Sequence, residues 1–130
     1  MPHLQFDINK KINDKQRKEF SEFVMKQFSS IMQTGLGHIA ISIREFPKKS
    51  LSLGRVGSGE NVCLMNLDIR SGRSKKQQRK LVRTLMEGVE IFFGIKLDNQ
   101  YATYSLHSGN DFNLYEKSLN TWIKKDDPLG

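Results

Sequence analysis

Residues 5–18 read QFDINKKINDKQRK and residues 66–79 read NLDIRSGRSKKQQR. Asp7-Ile8 corresponds to Asp68-Ile69, Asn13 to Ser74, Lys15-Gln16 to Lys76-Gln77 and Lys18 to Arg79, all at one offset of 61 residues. In both copies an alternating apolar run ends, a capping residue follows, and a helical pattern begins. The chain therefore reads as a β-α-β unit used twice.

Working outward, residues 3–9 alternate with period two, as a half-buried strand does. Asn13 or Asp14 supplies an N-cap. Phe20, Phe23, Val24, Phe28 and Ile31 then recur on one helical face, which Gly35 and Gly37 are expected to end. His38–Phe46 reads as a second strand stopped by Pro47. Residues 48–60 form a polar, glycine-bearing connector, with room for a short strand at Ser50–Leu53. Asn61–Arg70 is apolar enough for a central strand. Ser74 caps a second helix carrying Leu81, Val82, Leu85, Val89, Phe92 and Phe93, with Gly94 at its end. Tyr101–Leu106 is the last strand; residues 110–122 read as a turn with a short helix or strand, and 124–130 as a frayed tail.

The expected fold is α+β: a duplicated β-α-β unit of ferredoxin-like or tautomerase-like type, with a four-stranded mixed sheet and two helices on one face. One domain spans 1–130, with halves at about 2–46 and 61–107 and a C-terminal segment at 108–130. Two units related by a local two-fold axis pair their first strands antiparallel at the sheet centre. Pro2 is then expected near Arg70.

The 130 residues suffice for a real core. One cysteine, Cys63, excludes an internal disulfide framework and fits a reducing compartment; it is read as packed in the central strand. No secretory pattern occupies the start and no stretch approaches a membrane span, so the expectation is a cytoplasmic protein. With 21 Lys and Arg against 14 Asp and Glu, the net charge of +7 favours an anionic partner without choosing one. His3, His38 and His107 lack metal-ligand spacing, and no P-loop or GxGxxG pattern appears. Neither a metal nor a cofactor is expected. Gly54–Gly59 is read as flexible connector.

Two features suggest chemistry. Met1-Pro2 opens the chain, and removal of the methionine would leave Pro2 with a free secondary amine. An α-amino group titrates near ~7.7–8.0, so it can exchange protons at neutral pH. The competing reading is that proline simply tolerates the first position of a strand. The second feature is Arg70-Ser71-Gly72-Arg73-Ser74, at a strand end and a helix start. Helix N-termini receive anions, and two guanidinium forks there suit a carboxylate. The alternative is a solvated basic turn, continued by Lys75, Lys76, Arg79 and Lys80.

Met-Pro, the duplicated β-α-β pattern and Leu67-Asp68-Ile69-Arg70-Ser71-Gly72-Arg73-Ser74 resemble the tautomerase superfamily, most closely its cis-3-chloroacrylic acid dehalogenase branch. The likeness runs from Pro2 to about Tyr104 and includes Gly37-His38 and Leu53-Gly54. The resemblance implies a cofactor-independent enzyme acting on a small anionic substrate, a keto, enol or unsaturated carboxylic acid. It implies Pro2 as acid–base residue, Arg70 and Arg73 as carboxylate ligands, Tyr104 as a water-placing residue supplied across subunits, and a homotrimer. Two positions depart from the branch. Phe28 stands where it has a histidine, and reads as core. Tyr115 stands where it has a water-activating glutamate; a one-residue shift would give that role to Glu116, which is more often a surface residue than a base. Hydratase or dehalogenase action on 3-substituted acrylates is therefore the alternative to proton transfer alone.

A third reading is a basic nucleic-acid-binding module using Ser74–Arg83. The central strands lack the aromatic pairs that stack bases, which disfavours it. Retention of Met1 would block the Pro2 amine and leave a superfamily member without activity.

Overall fold

The computed structural model describes residues 2–119. Its elements are β1 (Pro2–Ile8), α1 (Asp14–Met32), β2 (Ala40–Glu45), β3 (Cys63–Arg70), α2 (Lys75–Phe93) and β4 (Gln100–His107), with short 3-10 turns at Lys48–Ser50, Leu97–Asn99 and Gly109–Asp111. The sheet order is β2-β1-β3-β4. Strand β1 runs parallel to β2 and antiparallel to β3, and β3 runs parallel to β4. The central antiparallel pair expected from the duplication is present, with Pro2 opposite Ile69 and Ile8 opposite Cys63.

Period-two burial explains the layers. Leu4, Phe6 and Ile8 of β1 and Cys63, Met65, Leu67 and Ile69 of β3 are buried on one face, beneath Phe20, Val24 and Phe28 of α1 and Leu81, Leu85 and Phe93 of α2. Phe6 and Phe20 meet edge to face, with ring centroids 4.9 Å apart, an arrangement that aromatic quadrupoles favour. Phe28 is 1 % exposed, a core residue. The opposite face of the sheet carries mostly polar side chains, with Leu64 and Tyr101 among them. There Arg44 donates to both carboxylate oxygens of Asp7 at 2.8 and 2.9 Å.

Both helices begin with reciprocal capping boxes, Asn13 with Gln16 and Ser74 with Gln77. Gly94 caps α2 with φ 69°. Helix α1 ends before its glycines: Gln33 takes the left-handed conformation at φ 52°. Two bonds close that turn, from the Thr34 N–H to the Ser29 carbonyl and from the Ser29 hydroxyl to the Thr34 carbonyl. They offset the roughly 1–2 kcal/mol that a non-glycine residue loses there.

The connector contains no strand at Ser50–Leu53; a 3-10 turn occupies Lys48–Ser50 instead. Its two ends are held by one side chain. Asn9 is 5 % exposed, donates to the carbonyls of Lys48 and Glu60, and accepts from the Val62 N–H at 2.7 Å. After β4, the 3-10 turn at Gly109–Asp111 leads to an isolated bridge between Asn113 and Ser118. The remainder of the 110–122 reading and the tail lie outside the described residues. Among the described residues no helix is long and apolar enough to cross a membrane.

Candidate active site

The topology gathers six element ends at one end of the sheet. Strands β1 and β2 start there, since His3 lies opposite Ala40. Strands β3 and β4 finish there, with Arg70 opposite His107. Helix α1 arrives and α2 departs, and Gln77 of α2 donates to the Ile31 carbonyl of α1 at 3.2 Å. Pro2 is buried at the head of β1, one register position from Arg70. Met1, whose removal decides the chemistry of the Pro2 nitrogen, lies outside the described residues.

The two arginines are placed by different features of the turn. By strand alternation Arg70 belongs to the polar face of the sheet, half-buried, while Ile69 enters the core. Gly72 turns the chain with φ +116°, where an L side chain would be strained. Arg73 then crosses toward α1, 9 % exposed, with Nε and Nη2 donating to the Met32 carbonyl at 3.4 and 3.2 Å. The last carbonyls of a helix have no partner within it and carry its negative pole. Arg73 satisfies one of them. Its desolvation, with the nearby Arg70 charge, lowers the Arg73 pKa to about 10. It stays cationic at neutral pH.

Tyr104 and Glu116 are not brought to this cluster within one chain. Tyr104 sits on β4 opposite Leu67, so β3 separates it from β1. It packs toward the helices, where its hydroxyl donates to the Gln78 carbonyl of α2. Burial pushes its pKa up to about 12, against the opposing charge of Arg79. Glu116 is exposed on the bend between Asn113 and Ser118. Cys63 is fully buried, and burial followed by the Asp7 charge pushes its thiol well above the ordinary range. Among the described residues no group of His, Cys, Asp and Glu could hold a metal ion.

One constellation escapes sequence reasoning. His107 Nε2 lies 2.9 Å from Asp68 Oδ1, and its Nδ1 lies 3.5 Å from Asp111 Oδ2. Its backbone carbonyl accepts from the Ser71 N–H at 2.8 Å. The only signal in the sequence was register: a histidine ending β4 must face the residue ending β3, which is Arg70.

No family model matches the chain, and no curated protein matches it in sequence. Solved structures do match in fold, and that fold is the α+β tautomerase fold. A fused 4-OT, described as a wild-type symmetric trimer, superposes with a TM-score of 0.80 at 13% identity, covering 91% of this chain and 95% of that one. The macrophage migration inhibitory factor-like protein of Entamoeba histolytica gives 0.74 at 20% identity over 87% and 94%. N1, a member of the cis-3-chloroacrylic acid dehalogenase family, gives 0.73 at 16% identity over 88% and 82%.

Proposed function

We propose that this chain is a cofactor-independent tautomerase-like enzyme in which the Pro2 amine, freed by removal of Met1, moves a proton on a keto, enol or unsaturated carboxylic acid. Arg70 and Arg73 bind the substrate carboxylate and stabilise the charge that develops as the proton leaves carbon. The observation that carries this reading is the β1–β3 register, which sets buried Pro2 against Ile69 and beside the turn bearing both arginines. Burial and nearby cations favour a neutral amine, so Pro2 acts as the base and returns the proton to a different atom. The Arg73 contact with Met32 engages Nε and Nη2 and fixes the plane of that guanidinium.

The fused 4-OT neighbour's trimeric state and two edge strands, β2 and β4, unpaired on their outer sides among the described residues, support a homotrimer with sites between subunits. Tyr104 and Glu116, remote from Pro2 in their own chain, would then serve a neighbour's site. With a protonated Pro2 and a carboxylate to activate water, the same arrangement adds water to a 3-substituted acrylate, the alternative activity.

The test joins intact-mass measurement with turnover of the enol of a 2-oxo acid, followed by ultraviolet absorbance. The expected results are a chain lacking Met1 and a loss of about 10²-fold or more in kcat on Pro2 replacement. A retained Met1 in an active protein, or full activity in Pro2→Ala, overturns the reading.

A further inference from the structure

We infer that His107 is a positioning residue for the Arg70–Arg73 turn, working as an imidazolium that ties β3 to the turn after β4. The inference rests on the carboxylate-binding reading of that turn.

The geometry sets the protonation state that fits. Each ring nitrogen faces a carboxylate oxygen, Nε2 toward Asp68 and Nδ1 toward Asp111. A neutral imidazole has one N–H and one lone pair, so it can donate to one carboxylate while presenting a lone pair to the other. Only the protonated ring donates to both. The groups around it are Asp68 and Arg70 from β3, Asp111 from the 3-10 turn, and the Phe112 ring, perpendicular to the imidazole with centroids 5.5 Å apart. His3 of β1 lies beyond Asp68 and hydrogen-bonds Ser42 instead. The Asp68 contact, outweighing partial desolvation and aided by Asp111, raises the His107 pKa above its ordinary value.

The same residue reaches the arginine turn through its backbone. The Ser71 N–H, directly after Arg70, is held by the His107 carbonyl at 2.8 Å. Arg70 and His107 are also register partners. Loss of the ring proton turns Asp111 away, frees the end of β4, and loosens the carbonyl that fixes Ser71. The carboxylate ligand then loses its setting while the Pro2 end of β1 keeps its own pairing. The expected signature is a change in substrate affinity without a matching change in chemistry.

The experiment is a pH titration of the full chain by nuclear magnetic resonance, reading the His107 ring and the Ser71 and Gly72 amides together. The amides are expected to move with the imidazole midpoint, above about 6.5, and to lose that inflection in His107→Gln. In turnover of the enol of a 2-oxo acid, KM is expected to rise about two- to fivefold through the same midpoint with kcat little changed, the scale of a partly exposed ion pair. Asp111→Asn, which leaves the Asp68 contact intact, should shrink the inflection and confirm the coupling without disturbing the core. A His107 midpoint at or below the ordinary value, or a Ser71 amide indifferent to it, overturns the inference. A wild-type protein without turnover but with coupled resonances instead sinks the enzymatic reading alone.

Discussion

Replacing Asn9 with leucine tests the bond pattern that closes the connector. The side chain is nearly isosteric, so the change removes hydrogen bonds with little change in volume. The Val62 N–H, in a residue 2 % exposed, loses its partner at 2.7 Å. An orphaned buried donor costs about 1–3 kcal/mol. The Lys48 and Glu60 carbonyls lie at 2.9 and 3.3 Å and belong to exposed residues, so water replaces much of what they lose. They add roughly 0.5 kcal/mol each. The total is about 2–4 kcal/mol, or a fall in Tm of about 8–16 °C for a chain of this length. Circular dichroism melting and urea unfolding at constant m-value measure it. Asn9→Asp keeps an acceptor for Val62 and should recover part of the loss. Asn9 lies at the far end of β1 from Pro2, so turnover well below the melting range is expected to persist. A loss below about 1 kcal/mol in Asn9→Leu would show that hydration supplies all three bonds, and would refute the reasoning.

Gly88 lets α2 approach α1, since a Cβ there would sit 2.3 Å from Cε1 of Phe23. Gly88→Ala is expected to destabilise the wild-type chain by about 1–2 kcal/mol yet to stabilise a Phe23→Ala background by up to about 1 kcal/mol, read from urea midpoints. The arginines should separate in kind. Arg70→Gln raises KM for a carboxylate substrate about tenfold or more, and Arg73→Gln in addition lowers Tm by orphaning the Met32 carbonyl. For His107 the folded pKa is raised, so its contribution to stability is complete below about 6.5 and lost as pH climbs through the raised value. Melting temperature against pH should show that loss in the wild type and not in His107→Gln.

The duplication was legible because it is written in local chemistry. Asn13 and Ser74 each pair with a glutamine three residues on, and period-two apolar runs precede them, so strand, cap and helix follow from near neighbours. The antiparallel pairing of β1 with β3 followed from symmetry alone. Helix α1 ends at Met32, ahead of Gly35 and Gly37, because the bonds between Ser29 and Thr34 supply what a glycine would supply by freedom of φ. No strand forms at Ser50–Leu53, because the described sheet offers it no partner and a 3-10 turn takes Lys48–Ser50. At the candidate site, the approach of Pro2 to the end of β3 could be drawn from topology. The direction of the Arg73 guanidinium could not, because the Met32 carbonyl that attracts it is backbone and leaves no mark in the sequence. The setting of His107 is hidden for a related reason. Its partners, Asp68 and Asp111, are ordinary surface carboxylates until the register of β3 and β4 sets them on either side of the ring.

The Asn9 clasp also changes what the segment between Lys48 and Glu60 is. With both feet pinned to a single side chain, it behaves as a closed eyelet hung on a finished body, and added length there costs only slowly growing closure entropy. An insertion or a backbone nick near Gly57-Ser58 would therefore leave two complementary pieces, each a strand–helix–strand arch, meeting along the β1–β3 seam.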